Sequence, residues 1–236
     1  MKKSALVMAF AAALASSAFA AEVAMYGKVD VGLAFTSVDN GAPDGDRVNT
    51  LKMASGQTAG SRWGIRGEED LGNGLKVGFK LESGFNTDDG AMAQGGRLFG
   101  RQASLFVEGR AGNLKLGRMG ALASGFPDTG LFGGNMSPFA VGYGEVPGHR
   151  FIFAGNFAPL DNAVTYTTPS FNGWKLMAQY SLDRDTKVVN LGGKHGVEGK
   201  SSVDRHTALA AQFRNTTTEF NAVIDTTNYA SFNTDT

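Results

Sequence analysis

Residues 60–85 read GSRWGIRGEEDLGNGLKVGFKLESGF, and this stretch decides the fold class. Arg62, Gly64 and Arg66 alternate with Trp63 and Ile65. After the acidic, glycine-containing interruption EEDLGNG, Leu75, Val77, Phe79 and Leu81 alternate with Lys76, Gly78, Lys80 and Glu82. Successive side chains of a β-strand point to opposite faces of a sheet, so this pattern makes two strands, each apolar on one face and charged on the other. The short Gly/Asn connection between them makes the pair an antiparallel hairpin.

The same grammar runs outward in both directions. Upstream, Val23, Met25, Val29, Val31, Leu33 and Phe35 share one parity while Lys28 and Asp30 share the other. About thirteen residues is long for a strand of a globular protein but suits a tilted membrane-spanning one. Residues 39–46, DNGAPDGD, form a polar loop. Downstream, the turn-apolar-Lys-apolar signature recurs at Leu75-Lys76-Val77, Leu114-Lys115-Leu116 and Trp174-Lys175-Leu176. Two further strands are expected at 206–215 and 218–229, which makes about nine in all. Tight turns at one end and long polar connections at the other are the layout of a transmembrane antiparallel β-barrel. The longest connection, residues 120–159, is rich in Gly, Pro and Phe and has no helical or strand period. A loop of that size in a compact fold implies a function, such as folding into a lumen.

Composition agrees with an exported all-β chain. The 236 residues include 33 Gly, 17 Phe and no Cys, with a formal net charge of +0. No disulfide framework is available, and a near-neutral chain gives no reason to expect a nucleic-acid partner. Residues 1–20, MKKSALVMAFAAALASSAFA, have a basic start, an apolar run too short to span a bilayer and an Ala-Phe-Ala cleavage box, so they read as a cleaved signal peptide. Residues 21–236 are then one barrel domain. Single-chain bacterial barrels use even strand numbers, so about nine strands imply a partial or open barrel, incomplete at the C-terminus.

The blocks VAMYGKVDVGL, GSRWGIRGEEDLGNGLKVGFKLESGF, FGRQASLFVEGRAGNLKLGR and DNAVTYTTPSFNGWKLMAQY resemble the general diffusion porins of Gram-negative outer membranes, the trimeric sixteen-stranded type. That resemblance implies a homotrimer in outer-membrane lipid, with a water-filled channel for small hydrophilic solutes and ions. It also implies a long third external loop folded into the lumen, its acidic residues facing arginines of the wall. Carried onto this sequence, the pore constriction comprises Arg62 and Arg101 from the wall and Asp128 and Glu145 from the loop. Pro159 stands where many relatives carry an arginine, and Arg150 is the nearby substitute.

Pore-lining candidates by parity are Lys28, Asp30, Arg66, Lys76, Lys80 and Glu82. On the first three strands the cations, with Arg62, outnumber Asp30 and Glu82, which implies a modest anion preference. Tyr26, Trp63 and Trp174 are candidates for aromatic girdles at the membrane interfaces. No catalytic, cofactor or metal site is expected: the three histidines lack ligand spacing and no nucleophile motif occurs. The competing readings are a substrate-specific channel, an adhesin-like barrel, and, more remotely, an outer-membrane hydrolase.

Overall fold

The computed structural model describes residues 22–39, 41, 47–126, 128–132, 158–189 and 195–230. The expected signal peptide, Glu145 and Arg150 lie outside these. The described residues form eleven strands: β1 (Glu22–Lys28), β2 (Val31–Asp39), β3 (Arg47–Ser55), β4 (Arg62–Asp70), β5 (Lys76–Gly84), β6 (Gln102–Gly109), β7 (Gly112–Gly120), β8 (Pro159–Thr167), β9 (Trp174–Ser181), β10 (Arg205–Arg214) and β11 (Glu219–Asn228). Nine of them make one sheet in the order β1-β4-β5-β6-β7-β8-β9-β10-β11, and β2 pairs with β3 in a separate ribbon. Every pairing is antiparallel, and from β4 onward each strand pairs with its sequence neighbour.

Two expectations about the N-terminal region are corrected. The single long first strand is two strands, interrupted at Val29 and Asp30. The break is chemical: the Asp30 carboxylate accepts the backbone N–H groups of Gln57, Thr58 and Ala59 at 2.9, 3.1 and 3.0 Å. Ser61 adds a hydroxyl that bonds the Asp30 backbone on both its N–H (2.9 Å) and its carbonyl (3.0 Å). A carboxylate holding three amides of a neighbouring loop draws the chain out of the straight ladder, and β2 leaves to pair with β3. Strand β3 has no clear signal in the sequence pattern; together with the division of the first strand into β1 and β2 it raises the strand count from about nine to eleven.

The turns follow from residues that tolerate a left-handed backbone. Between β4 and β5, Gly72, Asn73 and Gly74 have φ of 82°, 54° and 76°, and the Leu71 N–H donates to the Leu75 carbonyl at 2.8 Å. Between β8 and β9, Asn172 and Gly173 take φ of 50° and 85°. Connections at this end are short, whereas 85–101, 121–158 and 182–204 at the other end are long.

The sheet has little interior of its own. Met25 and Ile224 of the sheet and Leu33 of the β2–β3 ribbon are 75, 80 and 73 % exposed, and Met25 and Leu33 lie on the apolar parity read from sequence. Leaving such a side chain in water forgoes roughly 1.5–3 kcal/mol, so this face fits an apolar surrounding, not water. Two small buried clusters lie where the loop residues 121–126 and 128–132 meet the sheet. One contains Met119, Ala121, Leu160 and Ala163; the other contains Leu122, Leu131, Ala208 and Ala210.

Candidate pore-lining face

The opposite face of the sheet carries the polar chemistry. Register puts Ala24, Tyr26 and Lys28 of β1 beside Arg66, Gly64 and Arg62 of β4, and these beside Lys80, Glu82 and Gly84 of β5. Gly64 makes the central arrangement: a Cβ there would stand 2.7 Å from the Tyr26 hydroxyl oxygen and 2.6 Å from the Leu81 carbonyl oxygen. Because the position is bare, the Tyr26 ring crosses it and its hydroxyl donates to Glu82 Oε2 at 2.7 Å. Tyr26 therefore belongs to the polar face, which corrects its assignment to an aromatic girdle. Trp63 and Trp174 pack against Phe99 at 6.1 Å and Phe213 at 5.1 Å between ring centroids.

Glu82 is the hub of the described charges here. Arg101 Nε donates to its Oε1 at 2.6 Å, and Lys80 Nζ lies 3.5 Å from its Oε2. Lys80 also reaches Asp128 Oδ2 at 2.5 Å, and Lys115 Nζ donates to the Asp128 carbonyl at 3.0 Å. The Arg101 guanidinium stacks over Phe126 at 5.2 Å. The loop is held further along by Gln179, which accepts the Leu122 N–H at 3.0 Å, and by Asn221, which donates to the Leu131 carbonyl at 3.2 Å. Residues 121–126 and 128–132, the inner loop segment, thus make contacts across the polar face from β5 to β11.

The sequence-derived candidates separate into groups. Arg101, Lys80, Glu82 and Asp128 meet in one network. Arg62 stands apart: its Nη1 donates to the Gly60 carbonyl at 3.2 Å, and no carboxylate of the described residues pairs with it. Lys28 sits directly opposite Arg62, and Arg66 lies 5.7 Å from the Tyr26 ring. Lys76 is at the turn end, paired with Glu68 at 2.8 Å. The Asp30 carboxylate is taken up by the loop amides.

Register also corrects the charge count. Glu22, Glu68 and Asp70 share the parity of Arg66, so the cations of the first strands do not outnumber the acids as the sequence tally implied. The three added acids, Glu22, Glu68 and Asp70, stand towards the short-turn end with Lys76, whereas Lys28, Arg62, Arg66 and Lys80 stand further along the strands, with Glu82 among them. β6 brings another clarification. Its apolar run resolves because Phe106 turns to the polar face over Gly78, whose added Cβ would lie 2.5 Å from the ring, while Leu105 is 46 % exposed on the other side.

Sequence reasoning missed a second cluster, around Asp161. Its Oδ2 accepts from Arg97 Nη2 at 2.9 Å, from the Thr186 N–H at 2.9 Å and from the Thr186 hydroxyl at 2.8 Å. Its Oδ1 accepts from Arg118 Nη1. Arg97 also pairs with Asp185 at 2.6 Å. The available signal was Asp161 in PLDNAVTY, an acid opening a strand, but nothing in the sequence announced its partners. No cluster of metal-ligating side chains occurs among the described residues.

An open antiparallel sheet, polar on one face and apolar on the other, crossed by a loop on its polar side, agrees with the family model that the chain matches over residues 5–236, described as Gram-negative porin. The chain belongs to the Gram-negative porin family. Membership places this porin among outer-membrane proteins and outside the enzymes. It is 39 % identical over 203 residues to an outer membrane porin protein of Bordetella pertussis, covering 80 % of this chain and 51 % of that protein. It is 33 % identical over 194 residues to outer membrane porin protein 32 of Delftia acidovorans, covering 80 % and 52 %. The chain thus spans about half the length of the curated relatives it matches. Among solved structures, an anion-selective porin from Comamonas acidovorans superposes with a TM-score of 0.51 at 22 % identity, covering 88 % of this chain and 68 % of that one. This likeness concerns the fold.

Proposed function

We propose that this porin contributes the wall and inner loop of a water-filled channel for passive diffusion of small hydrophilic solutes and ions, in a homotrimer whose subunits are sixteen-stranded barrels. Residues 1–20 are the export signal and 21–236 the barrel domain. The single observation that carries the reading is the loop segment bound to the polar face of a sheet whose other face exposes large apolar side chains. Between the inner loop segment and the sheet lies a space of about 540 Å³, lined by polar groups including Lys115, Lys175, Gln212 and Arg214.

In this reading Arg62 and Arg101 form the wall of the constriction, Asp128 faces them from the loop, and Glu145 is a further loop acid. The acids at this level are locally neutralised, Glu82 by Arg101 and Lys80, and Asp128 by Lys80. Arg62 and Arg66 make no ion pair with a carboxylate among the described residues, and Lys28 has only the loop-bound Asp30 carboxylate within electrostatic reach, so the mid-wall field is positive and favours anions modestly. The Comamonas porin of similar fold is described as anion-selective, in the same direction.

Two measurements test the proposal. Liposomes containing the purified outer-membrane protein should swell in sugars at rates that fall with solute size and do not saturate. Reversal potentials across a salt gradient should show chloride favoured over potassium. Saturating uptake of one sugar points to a substrate-specific channel, and cation selectivity removes the anion preference.

A further inference from the structure

We infer that Asp161 is the positioning residue of this porin: it fixes where the inner loop segment sits, and it links that segment to two outer connections. The inference rests on the channel reading above. It begins with the neck of the loop. β7 ends at Gly120 and β8 begins at Pro159, and these two residues are register partners, as are Met119 and Leu160. The chain therefore leaves the sheet and returns to it at one point, and Asp161 stands just beyond that point.

The geometry at the neck is specific. The register shifts between Gly117 and Met119, where Gly117 takes φ of 119°, and this irregularity sends Arg118 to Asp161. On the Asp161 side, Asn162 has φ of 47°, a second departure from strand geometry. The two charged side chains are 12 and 8 % exposed, so their pairing is shielded from solvent. Met119, Ala121, Leu160 and Ala163 close the neck with apolar contact. Ser181 donates to the Asp161 carbonyl at 2.6 Å, which fixes the backbone as well.

The same carboxylate is shared with elements outside the neck. Arg97, on connection 85–101, and Thr186, on connection 182–204, both end on Oδ2. The same Nη2 of Arg97 also donates to Asp185 Oδ1, and Lys187 donates to the Gly95 carbonyl, so the two connections also grip each other. One buried anion with donors from β7 and two connections couples them: a shift in any one donor is felt at the neck. The contacts of Asp128 with Lys80 and of Leu131 with Asn221 lie far along the segment from this pivot, and a small rotation at the neck displaces them most.

The test uses the absence of cysteine from the sequence, which lets introduced pairs be labelled cleanly. Spin labels at Gly125→Cys in the segment and Ala111→Cys in the β6–β7 turn, both exposed positions, report the distance between segment and wall in the protein purified from outer membranes. With Asp161 intact, one narrow distance distribution is expected. Asp161→Asn and Arg118→Gln should each add a second population, raised from about 1 % to about 10 % or more of molecules, with a matching spread in single-channel conductance. Arg97→Gln leaves the sheet pairing intact and decides the matter if the other two variants do not fold. It should give the same second population, and an unchanged distribution in every folded variant overturns the inference. Absence of conductance in the parent protein would overturn the channel reading alone, since the label distances still decide the role of Asp161.

Discussion

Arg62 and Glu82 stand on neighbouring strands of the polar face but behave as opposites. Arg62 is half-buried with a backbone carbonyl as its partner, so its charge acts on solvent, whereas Glu82 is 5 % exposed and is matched by Arg101, Tyr26 and Lys80. A unit charge acting through water at about 7 Å is worth about 0.6 kcal/mol, close to thermal energy. Arg62→Gln is therefore expected to lower the chloride-to-potassium permeability ratio roughly twofold to threefold, and Arg62→Glu by more. Reversal potentials check both. Glu82→Ala should act on stability. Removing one partner of a shielded ion pair costs about 3–5 kcal/mol, so the variant should lose its heat-resistant fold at a clearly lower temperature on a gel. Gly64→Val belongs with it: the side chain meets the Tyr26 ring and the Leu81 carbonyl, and overpacking of this kind costs about 1–3 kcal/mol.

Among the elements, the hairpins were legible in sequence and the loop contacts were not. Alternation runs through 62–66 and 76–82, and EEDLGNG supplies the left-handed positions a tight turn needs, so β4 and β5 appear with the right faces. Gly74→Val should slow refolding of that hairpin and cost about 1–2 kcal/mol, because only glycine takes φ near +76° without a steric penalty; equilibrium unfolding in urea measures it. The break at Asp30 is hidden because parity continues through it; what interrupts the strand is a set of amides that arrive from residues 57–59. Tyr26 misleads for a related reason. An aromatic beside an apolar run looks like a girdle residue until its strand partner proves to be a glycine. The Asp161 cluster gathers residues 97, 118, 161 and 185, and no local pattern encodes a meeting of four distant segments.

At the scale of the whole molecule, the sheet has one polar and one apolar face, and the proposed role as a channel wall, with water on one face and lipid on the other, should be measurable along any strand. Single cysteines at Arg66, Lys80 and Gln212 should react with a charged, water-borne thiol reagent in intact membranes. Cysteines at Ile65, Phe79 and Leu209 should resist it and instead take up a lipid-soluble label. A two-residue period of reactivity is the expected result, and uniform reactivity on both faces would remove the barrel-wall reading.

The order β1-β4-β5 through β11 also has a kinetic meaning. From β5 on, each strand meets the one made just before it, so the sheet can grow by adding hairpins to a single advancing edge, mostly through local contacts. The pairing of β1 with β4 is the exception, since the β2–β3 ribbon must first fold out of line. Growth of this kind carries its own hazard: the leading edge always presents unpaired amides and carbonyls to whatever strand arrives next. The succession of neighbours along the chain, with no strand inserted between two earlier ones after β4, makes the rightful next strand the one closest at hand.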